Sequence, residues 1–164
     1  MRRRLLALAF AFAATSTAAS ANYVRNGDFS EGELYWSSFS AYYYFDGAYR
    51  EGSPRSPAAM QQAFYDTAGP LLLEYDYAAI SGGYGYATWN GVLVPESTYS
   101  GNLTHLSFIV QGTGLDVLAI WGRNEAYYNL LDNVSVTDAV IPEPAGAAVL
   151  AMGCLGLALR RLRR

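Results

Sequence analysis

Three chemically useful side chains are scarce in this chain of 164 residues, which has one cysteine, one histidine and no lysine. Cys154 lies in an apolar run near the C-terminus, so the rest of the chain can form no disulfide, no cysteine-based zinc cluster and no thiol nucleophile. His105 stands within the alternating run Leu103–Gln111, a pattern more typical of a structural histidine than of a catalytic one. The sequence does not exclude a Ser-His-Asp catalytic triad, because the three residues of a triad need not be close in sequence. It contains no G-x-S-x-G nucleophile elbow, no paired metal ligands and no phosphate-binding loop.

Positive charge is scarce between the two ends of the chain. Residues 22–141 hold four arginines against thirteen acidic residues, hence a net charge of −9, whereas the whole chain carries −3. A negative surface of this kind argues against nucleic acid as a partner, and against anionic lipid or acidic polysaccharide as a simple electrostatic partner.

The C-terminal residues form a pattern of three parts. Pro142-Glu143-Pro144 precedes the apolar run Ala145–Leu159, and the chain ends in Arg160, Arg161, Leu162, Arg163 and Arg164. As a helix the run would span roughly 22 Å, which is shorter than a hydrocarbon core of about 30 Å. Arginine side chains that reach up to the membrane interface, together with local thinning of the bilayer, make up part of this difference. The arginines resist translocation, which predicts a transmembrane helix with a cytoplasmic C-terminus. A buried helix of a soluble domain fits less well, because the run is apolar all round.

The N-terminal residues fit a secretory signal peptide over residues 1–21. A basic segment, Arg2-Arg3-Arg4, precedes the apolar run Leu5–Ala14 and the small residues Ala19-Ser20-Ala21. Signal peptidase is expected to recognise Ala19 and Ala21 and to cut after Ala21. Both basic clusters then lie on the cytoplasmic side, and the segment between them is exported.

Together the two ends resemble those of PEP-CTERM proteins, which exosortase sorts in Gram-negative bacteria that produce exopolysaccharide. The resemblance implies that Pro142, Glu143 and Pro144 are recognised by exosortase, a membrane-embedded cysteine protease that cuts near them. This chain would be its substrate, anchored transiently in the inner membrane and then delivered to the cell surface or extracellular matrix. Two prolines suit that role because they deny the segment a regular hydrogen-bonded structure.

The sequence pattern of the exported part predicts an all-β fold, because short runs of alternating apolar and polar residues are separated by Gly, Pro, Asn and Asp. The expected strands are Ser38–Phe45, Ala58–Tyr65, Leu71–Ala79, Tyr84–Val94, Leu103–Gln111, Leu115–Trp121 and Tyr128–Thr137. We expect a single jelly-roll-like antiparallel β-sandwich over residues 22–138, flanked by an N-terminal signal helix and by a C-terminal transmembrane helix within the sorting signal 139–164.

This domain resembles galactose-binding-like carbohydrate-binding modules. The resemblance is carried by Asn26-Gly27-Asp28-Phe29, Trp36, Thr88–Leu93 and Leu131–Val136. It implies a jelly roll in which a structural calcium ties the opening segment to the last strand, with Asp28, Glu31 and Asp132 as candidate ligands; no other cofactor is expected. Ser30 stands where the family has a glutamate, and Glu31, one place later, would point to the opposite face of an extended segment. Asp28 and Asp132 could instead bond local backbone amides.

Fourteen tyrosines suggest a glycan-binding surface, since aromatic rings stack on the apolar faces of sugars. The candidates are Tyr42, Tyr44, Tyr84, Tyr86 and Tyr127, and Trp36, Trp89 and Trp121 are further available platforms. Such rings also fill the cores of small sandwiches, and we assign Phe29, Trp36 and Trp89 to the core.

Three functional hypotheses follow from the sequence. The first is a non-enzymatic exported surface or matrix protein, sorted by exosortase and associated with exopolysaccharide. The second is a lectin-like carbohydrate-binding module that uses surface tyrosines. The third, an extracellular hydrolase, has the least support from the residues.

Overall fold

The computed structural model describes residues 21–39, 42–45, 48–51, 57–80, 82–124 and 128–140, with the backbone alone described for 42–45 and 48–51. The described residues form strands and no helix, which confirms the all-β prediction. The strands are β1 Ser37–Phe39, β2 Tyr42–Phe45, β3 Ala48–Glu51, β4 Ala58–Tyr65, β5 Gly69–Ala79, β6 Tyr84–Trp89, β7 Val92–Leu93, β8 Gly101–Gly112, β9 Leu115–Arg123 and β10 Asn129–Asp138. The two predicted terminal helices fall outside the described residues, and the described part of the chain contains no helix long and apolar enough to span a membrane.

The strands form two antiparallel sheets of five strands each. Sheet A has the order β1-β4-β9-β6-β7, and sheet B has the order β2-β3-β10-β5-β8. The inner faces of both sheets supply one continuous core, including Met60, Leu118, Ile120, Leu73, Tyr75, Tyr77 and Leu131. The sheets therefore pack face to face as a β-sandwich.

Strand β5 shows how the sequence specifies this arrangement. Its side chains alternate, with Leu71, Leu73, Tyr75 and Tyr77 buried and the residues between them partly exposed. A strand directs successive side chains to opposite faces, so this alternation buries one face against sheet A. These four residues therefore share the buried face of the strand.

Two predicted strands are divided in the structure. The run Ser38–Phe45 was expected to be one strand, but β1 pairs with β4 in sheet A, whereas β2 pairs with β3 in sheet B. The chain therefore crosses from one sheet to the other after Phe39, and β3, which was not predicted, becomes the partner of β2. Local alternation carries no information about which partner a strand will find, so it could not reveal this crossing.

The run Tyr84–Val94 is a hairpin rather than one strand. Asn90 and Gly91 have φ angles of 52° and 78°, and they join β6 to β7 with Trp89 paired to Val92. A two-residue turn with both residues at positive φ suits the twist of a hairpin and favours Asn-Gly.

Strand β10 departs from strict alternation at a bulge. The register with β5 shifts between Asp132 and Ser135, and Asn133 has a φ of 51°. Leu131, Val134 and Val136 all face the core as a result, although strict alternation along the strand would put Leu131 on the face opposite the two valines. One extra residue in a strand changes the face that every later residue occupies.

Residues 22–29, which lie before the first strand and which we call the opening segment, are bound directly to the last strand, β10. Tyr23 N donates to Val136 O at 2.8 Å, and Val134 N donates to Gly27 O at 2.8 Å. At Gly27 a Cβ atom would lie 1.9 Å from Val134 O, so only glycine permits this approach. Phe29 and Trp36 then pack into the core with their ring centroids 5.3 Å apart, as predicted for both residues.

Candidate functional site

A row of three aromatic rings lies on the outer face of sheet A. The rings of Tyr84 and Tyr86 are 6.4 Å apart between centroids with planes inclined by 13°. The rings of Tyr86 and Trp121 are 6.1 Å apart and inclined by 8°. All three side chains are partly exposed, and the planes of neighbouring rings are nearly parallel. We call Tyr84, Tyr86 and Trp121 the aromatic row.

The backbone of β6 and β9 sets the geometry of this row. Tyr86 is directly opposite Trp121 in the antiparallel register, which brings the two side chains together across the strands. The indole Nε1 of Trp121 donates to Thr88 Oγ1 at 3.1 Å, and this bond fixes the direction of the ring. Gly85 and Ala87, which alternate with the tyrosines, face the core.

Further side chains follow the row across sheet A. On β4 and β1, Ala59 lies opposite Trp121 and Phe39 lies opposite Ala59. Phe39 is 51% exposed, so an apolar side chain continues the line toward the sheet edge. Gln61, Ala119 and Thr88 form the adjacent line, and it is more polar. Apolar ring faces beside hydrogen-bonding groups suit an amphipathic ligand such as a sugar.

A buried polar network lies beneath the end of the row. Asn129 Nδ2 lies 2.9 Å from Tyr77 Oη and 3.1 Å from the carbonyl oxygen of Tyr84, and it donates to both. Asn124 Nδ2 donates to Asn129 Oδ1 at 3.0 Å and to Ile80 O at 3.0 Å. Both asparagines are almost fully buried, and buried amides of this kind hold backbone in place because they are costly to leave unpaired. The network anchors the start of β6, where Tyr84 stands.

The five tyrosine candidates have different outcomes. Tyr84 and Tyr86 come together, with Trp121 as the third ring. Tyr42 and Tyr44 belong to β2, in the opposite sheet, where the structure describes only the backbone. Tyr127 lies outside the described residues. Trp89 is buried in the core as expected, with Nε1 donating to Gln111 O at 3.0 Å.

Of the three calcium candidates, Asp28 and Asp132 lie where the opening segment meets β10. Asp28 is exposed and accepts hydrogen bonds from Ser30 N at 3.2 Å and Ser30 Oγ at 2.9 Å, which hold the pKa of its carboxyl below the usual 3.8. Glu31 is exposed. Burial, with added repulsion from Asp76 and Asp28, raises the pKa of the Asp132 carboxyl.

This environment leaves calcium binding a prediction. No group of three or more His, Cys, Asp or Glu side chains in the described ranges is arranged to hold a metal ion. A calcium ion there would need backbone carbonyls as well as Asp28 and Asp132, whose negative charges already influence each other. Backbone hydrogen bonds already connect the opening segment to β10 without an ion.

His105 lies on the outer face of sheet B, in an acidic cluster that sequence reasoning missed. Its Nδ1 is 2.8 Å from Asp76 Oδ1, and its Nε2 is 3.4 Å from Glu74 Oε1. Hydrogen bonds to Asp76 first and Glu74 second raise the pKa of the imidazole, and Asn133 Nδ2 donates to the other oxygen of Asp76 at 2.8 Å. The register of β5 with β8 places Asp76 opposite His105, so pairing of the two predicted strands was the signal that could have revealed the cluster.

The sorting residues cannot be located in this fold. Pro142, Glu143, Pro144 and the four terminal arginines lie outside the described residues, as does Ala19, while Ala21 is the first residue described. Their predicted roles therefore stay predictions.

No family model matches this sequence, and no curated protein matches it. Solved structures match its fold. The module TmCBM61, solved with β-1,4-galactotriose, has a TM-score of 0.55 and 13% identity over 73% of this chain and 100% of the module. The CBM22-1 xylan-binding domain from Paenibacillus barcinonensis Xyn10C has a TM-score of 0.54 and 11% identity over 76% of this chain and 100% of the domain.

A third similar structure is the enzymatically active domain of tailspike protein 4 from bacteriophage CBA120. Its TM-score is 0.50 at 11% identity, over 71% of this chain and 21% of the tailspike chain. At these identities the likeness concerns the fold. This β-sandwich is similar to those of two carbohydrate-binding modules, as the second sequence resemblance implied.

Proposed function

We propose that this protein is an exported carbohydrate-binding module that holds a glycan chain on the aromatic row of sheet A. The observation that carries the proposal is the alignment of Tyr84, Tyr86 and Trp121, with inclinations of 13° and 8° between neighbouring rings. Parallel, partly exposed rings offer consecutive stacking surfaces to a linear oligosaccharide. Ordered rings also bind with little loss of conformational entropy, because each has few rotatable bonds.

The fold comparison supports this hypothesis over the alternatives drawn from the sequence. Two of the similar structures are carbohydrate-binding modules, one solved with β-1,4-galactotriose and one described as xylan-binding. They favour the lectin-like alternative over a matrix protein without a defined ligand, and they give no support to a hydrolase. We therefore expect the ligand to be a linear polysaccharide, and galactan and xylan are the first ones to test.

We further propose that the two ends of the chain determine where binding takes place. The signal-like residues 1–21 and the sorting-like residues 139–164 support export, transient anchoring in the inner membrane and processing by exosortase at Pro142-Glu143-Pro144. The mature module would then reach the cell surface or the extracellular matrix, where polysaccharide is available. Mass spectrometry of the protein recovered from its source cells tests this part, and the expected products begin at Asn22 and end near Pro142.

Affinity electrophoresis tests the binding proposal. The full chain is run through gels that contain galactan, xylan or no polysaccharide, beside Tyr86→Ala and the control Ser107→Ala, which changes an exposed residue of sheet B. We expect one polysaccharide to retard the native chain and Ser107→Ala equally, and to retard Tyr86→Ala much less. Equal retardation of all three proteins would reject the row as the site, and no retardation on any glycan would favour the matrix-protein hypothesis.

A further inference from the structure

A groove lies between the opening segment and β4, away from the aromatic row. It has a volume of about 340 Å³, and its lining includes Tyr23, Arg25, Tyr35, Gln62 and Tyr65. Tyr65 and Ala59 are six residues apart on β4, and Ala59 is the residue opposite Trp121. At about 3.3 Å per residue the two sites are roughly 20 Å apart along the strand, so one sugar residue cannot occupy both.

Arg25 is held in this groove by two kinds of contact. Its backbone N–H donates to Gln62 Oε1 at 2.8 Å, and Gln62 Nε2 donates back to the Arg25 carbonyl oxygen at 2.9 Å. Gln62 is 4% exposed, so water competes little with these two hydrogen bonds and they hold the backbone of Arg25 in place. The guanidinium carbon lies 5.3 Å above the centre of the Tyr35 ring, which orients the cation. Within the described ranges, no carboxylate is placed within 4 Å of this guanidinium.

The two tyrosines beside Arg25 are exposed rather than packed. Tyr35 is 51% exposed and has a φ of 72°, a conformation that is strained for a large aromatic residue. Tyr65 is 79% exposed. Tyr35 lies in the turn that Trp36 N closes by donating to Glu33 O at 2.9 Å, and residues held at such φ angles also occur at binding sites. The groove thus combines a cation oriented by the Tyr35 ring with two exposed tyrosine side chains.

We propose that this groove binds an acidic sugar residue, a hexuronate within a polysaccharide chain. Arg25 pairs with the carboxylate through its planar guanidinium, and Tyr35 and Tyr65 contact the apolar face of the pyranose ring. The inference extends the proposed function and rests on it, since it assumes a glycan-binding protein. The strong net negative charge of the exported part repels acidic chains in general, so a carboxylate is accepted only where the guanidinium meets it.

Isothermal titration of the full chain with two matched trisaccharides tests this inference. Trigalacturonate carries carboxylates, and β-1,4-galactotriose is a neutral counterpart. We expect Arg25→Gln to weaken trigalacturonate binding by at least about tenfold and to leave galactotriose binding unchanged, because a charge-assisted contact is lost. Arg25→Lys should restore only part of the affinity, because a lysine keeps the charge but not the planar fork. Trigalacturonate binding should also weaken as salt increases.

The controls separate this inference from the proposed function. Arg25 is exposed and Gln62 bonds its backbone, so both Arg25 variants should keep the native amide NMR spectrum. Tyr86→Ala should weaken neutral-glycan binding and spare trigalacturonate. Unchanged trigalacturonate binding in Arg25→Gln, or none in the native chain, overturns the inference while leaving the aromatic row intact. Competition by hexaglutamate at equal affinity also overturns it, since the groove would then take any carboxylate.

Discussion

The phenol of Tyr77 occupies the space that a side chain at position 85 would need. A Cβ atom built on Gly85 would lie 2.2 Å from both Oη and Cζ of Tyr77. Tyr77 stands on the inner face of sheet B, and Gly85 stands between Tyr84 and Tyr86 on sheet A. This close approach seats β6 against the core and thereby places the two tyrosines on the outer face.

Gly85→Ala should therefore reduce both stability and binding. Adding a methyl group in a packed core costs typically 1–3 kcal/mol, and the Tyr77 ring has few places to move because Asn129 holds its hydroxyl. Chemical denaturation of the full chain measures the loss, with Ser107→Ala as the neutral control. Native stability in Gly85→Ala would mean that the two sheets do not meet here as described.

Asn129→Leu should destabilise the protein without changing its surface. The substitution removes the donor to Tyr77 Oη and to the carbonyl oxygen of Tyr84, and unpaired buried polar groups cost about 1–3 kcal/mol. Amide hydrogen exchange should show the loss of protection concentrated in β6 and the start of β10. Uniform protection equal to that of the native chain would contradict the anchoring role of the network.

Stability should depend on pH through two neighbouring carboxyls, Asp66 and Asp116. Burial first, and then the neighbouring Asp116 carboxyl, raise the pKa of Asp66 to about 6 from 3.8. A carboxyl whose pKa is raised in the folded state binds its proton more tightly there than in the unfolded state. Proton binding by Asp66 therefore stabilises the folded state fully below pH 3.8, and this stabilisation is lost as pH rises through about 6. Asp66→Asn, which can still accept from Gly114 N, should flatten the fall in melting temperature between pH 4 and about 7.

Asp116→Asn is the matched control, because Asp116 has the opposite tendency. Burial works against its charge, but donors from Asn90 and Thr113 hold the pKa of this carboxyl below its usual value. Thr113 donates through N at 2.6 Å and through Oγ1 at 2.8 Å. Losing the charged acceptor should lower the melting temperature at pH 7. If the melting temperatures of both variants depended on pH in the same way, the two carboxyls would not have opposite pKa shifts.

His105 should titrate above its usual pKa of 6.5. Asp76 at 2.8 Å raises the pKa of the imidazole more than Glu74 at 3.4 Å. The stabilising contribution is therefore present at pH values below 6.5 and disappears as pH rises through the folded-state pKa. His105 is the only histidine, so its ring proton signal can be followed by NMR without assignment. Asp76→Asn should lower the pKa more than Glu74→Gln, and the reverse order would contradict the geometry.

Some of this fold could be predicted because local patterns determine it. In β5 large apolar and acidic residues alternate strictly from Leu73 to Tyr77, and this pattern specifies both the strand and its buried face. Tyr84 and Tyr86, two residues apart, necessarily share a face of any strand that contains them. The Asn90-Gly91 turn could also have been predicted, since both residues favour positive φ. It was missed because the surrounding residues alternate as they would in one long strand.

Other features depend on pairing that no local pattern contains. The crossing of the chain between sheets after Phe39 and the bulge at Asn133 follow from which strands become neighbours. Trp121 joins the aromatic row only because the β6–β9 register places it opposite Tyr86. The groove at Arg25 requires three segments to converge, and its residues show no shared motif in the sequence.

Mapping a bound glycan onto individual rings tests the central claim most directly. The full chain is titrated with the polysaccharide fragment that retards it in affinity gels, and the aromatic ring signals are followed by NMR. The account predicts the largest shifts at Tyr84, Tyr86 and Trp121, with the buried rings of Phe29 and Trp36 unaffected. Binding that leaves those three signals unmoved would contradict it.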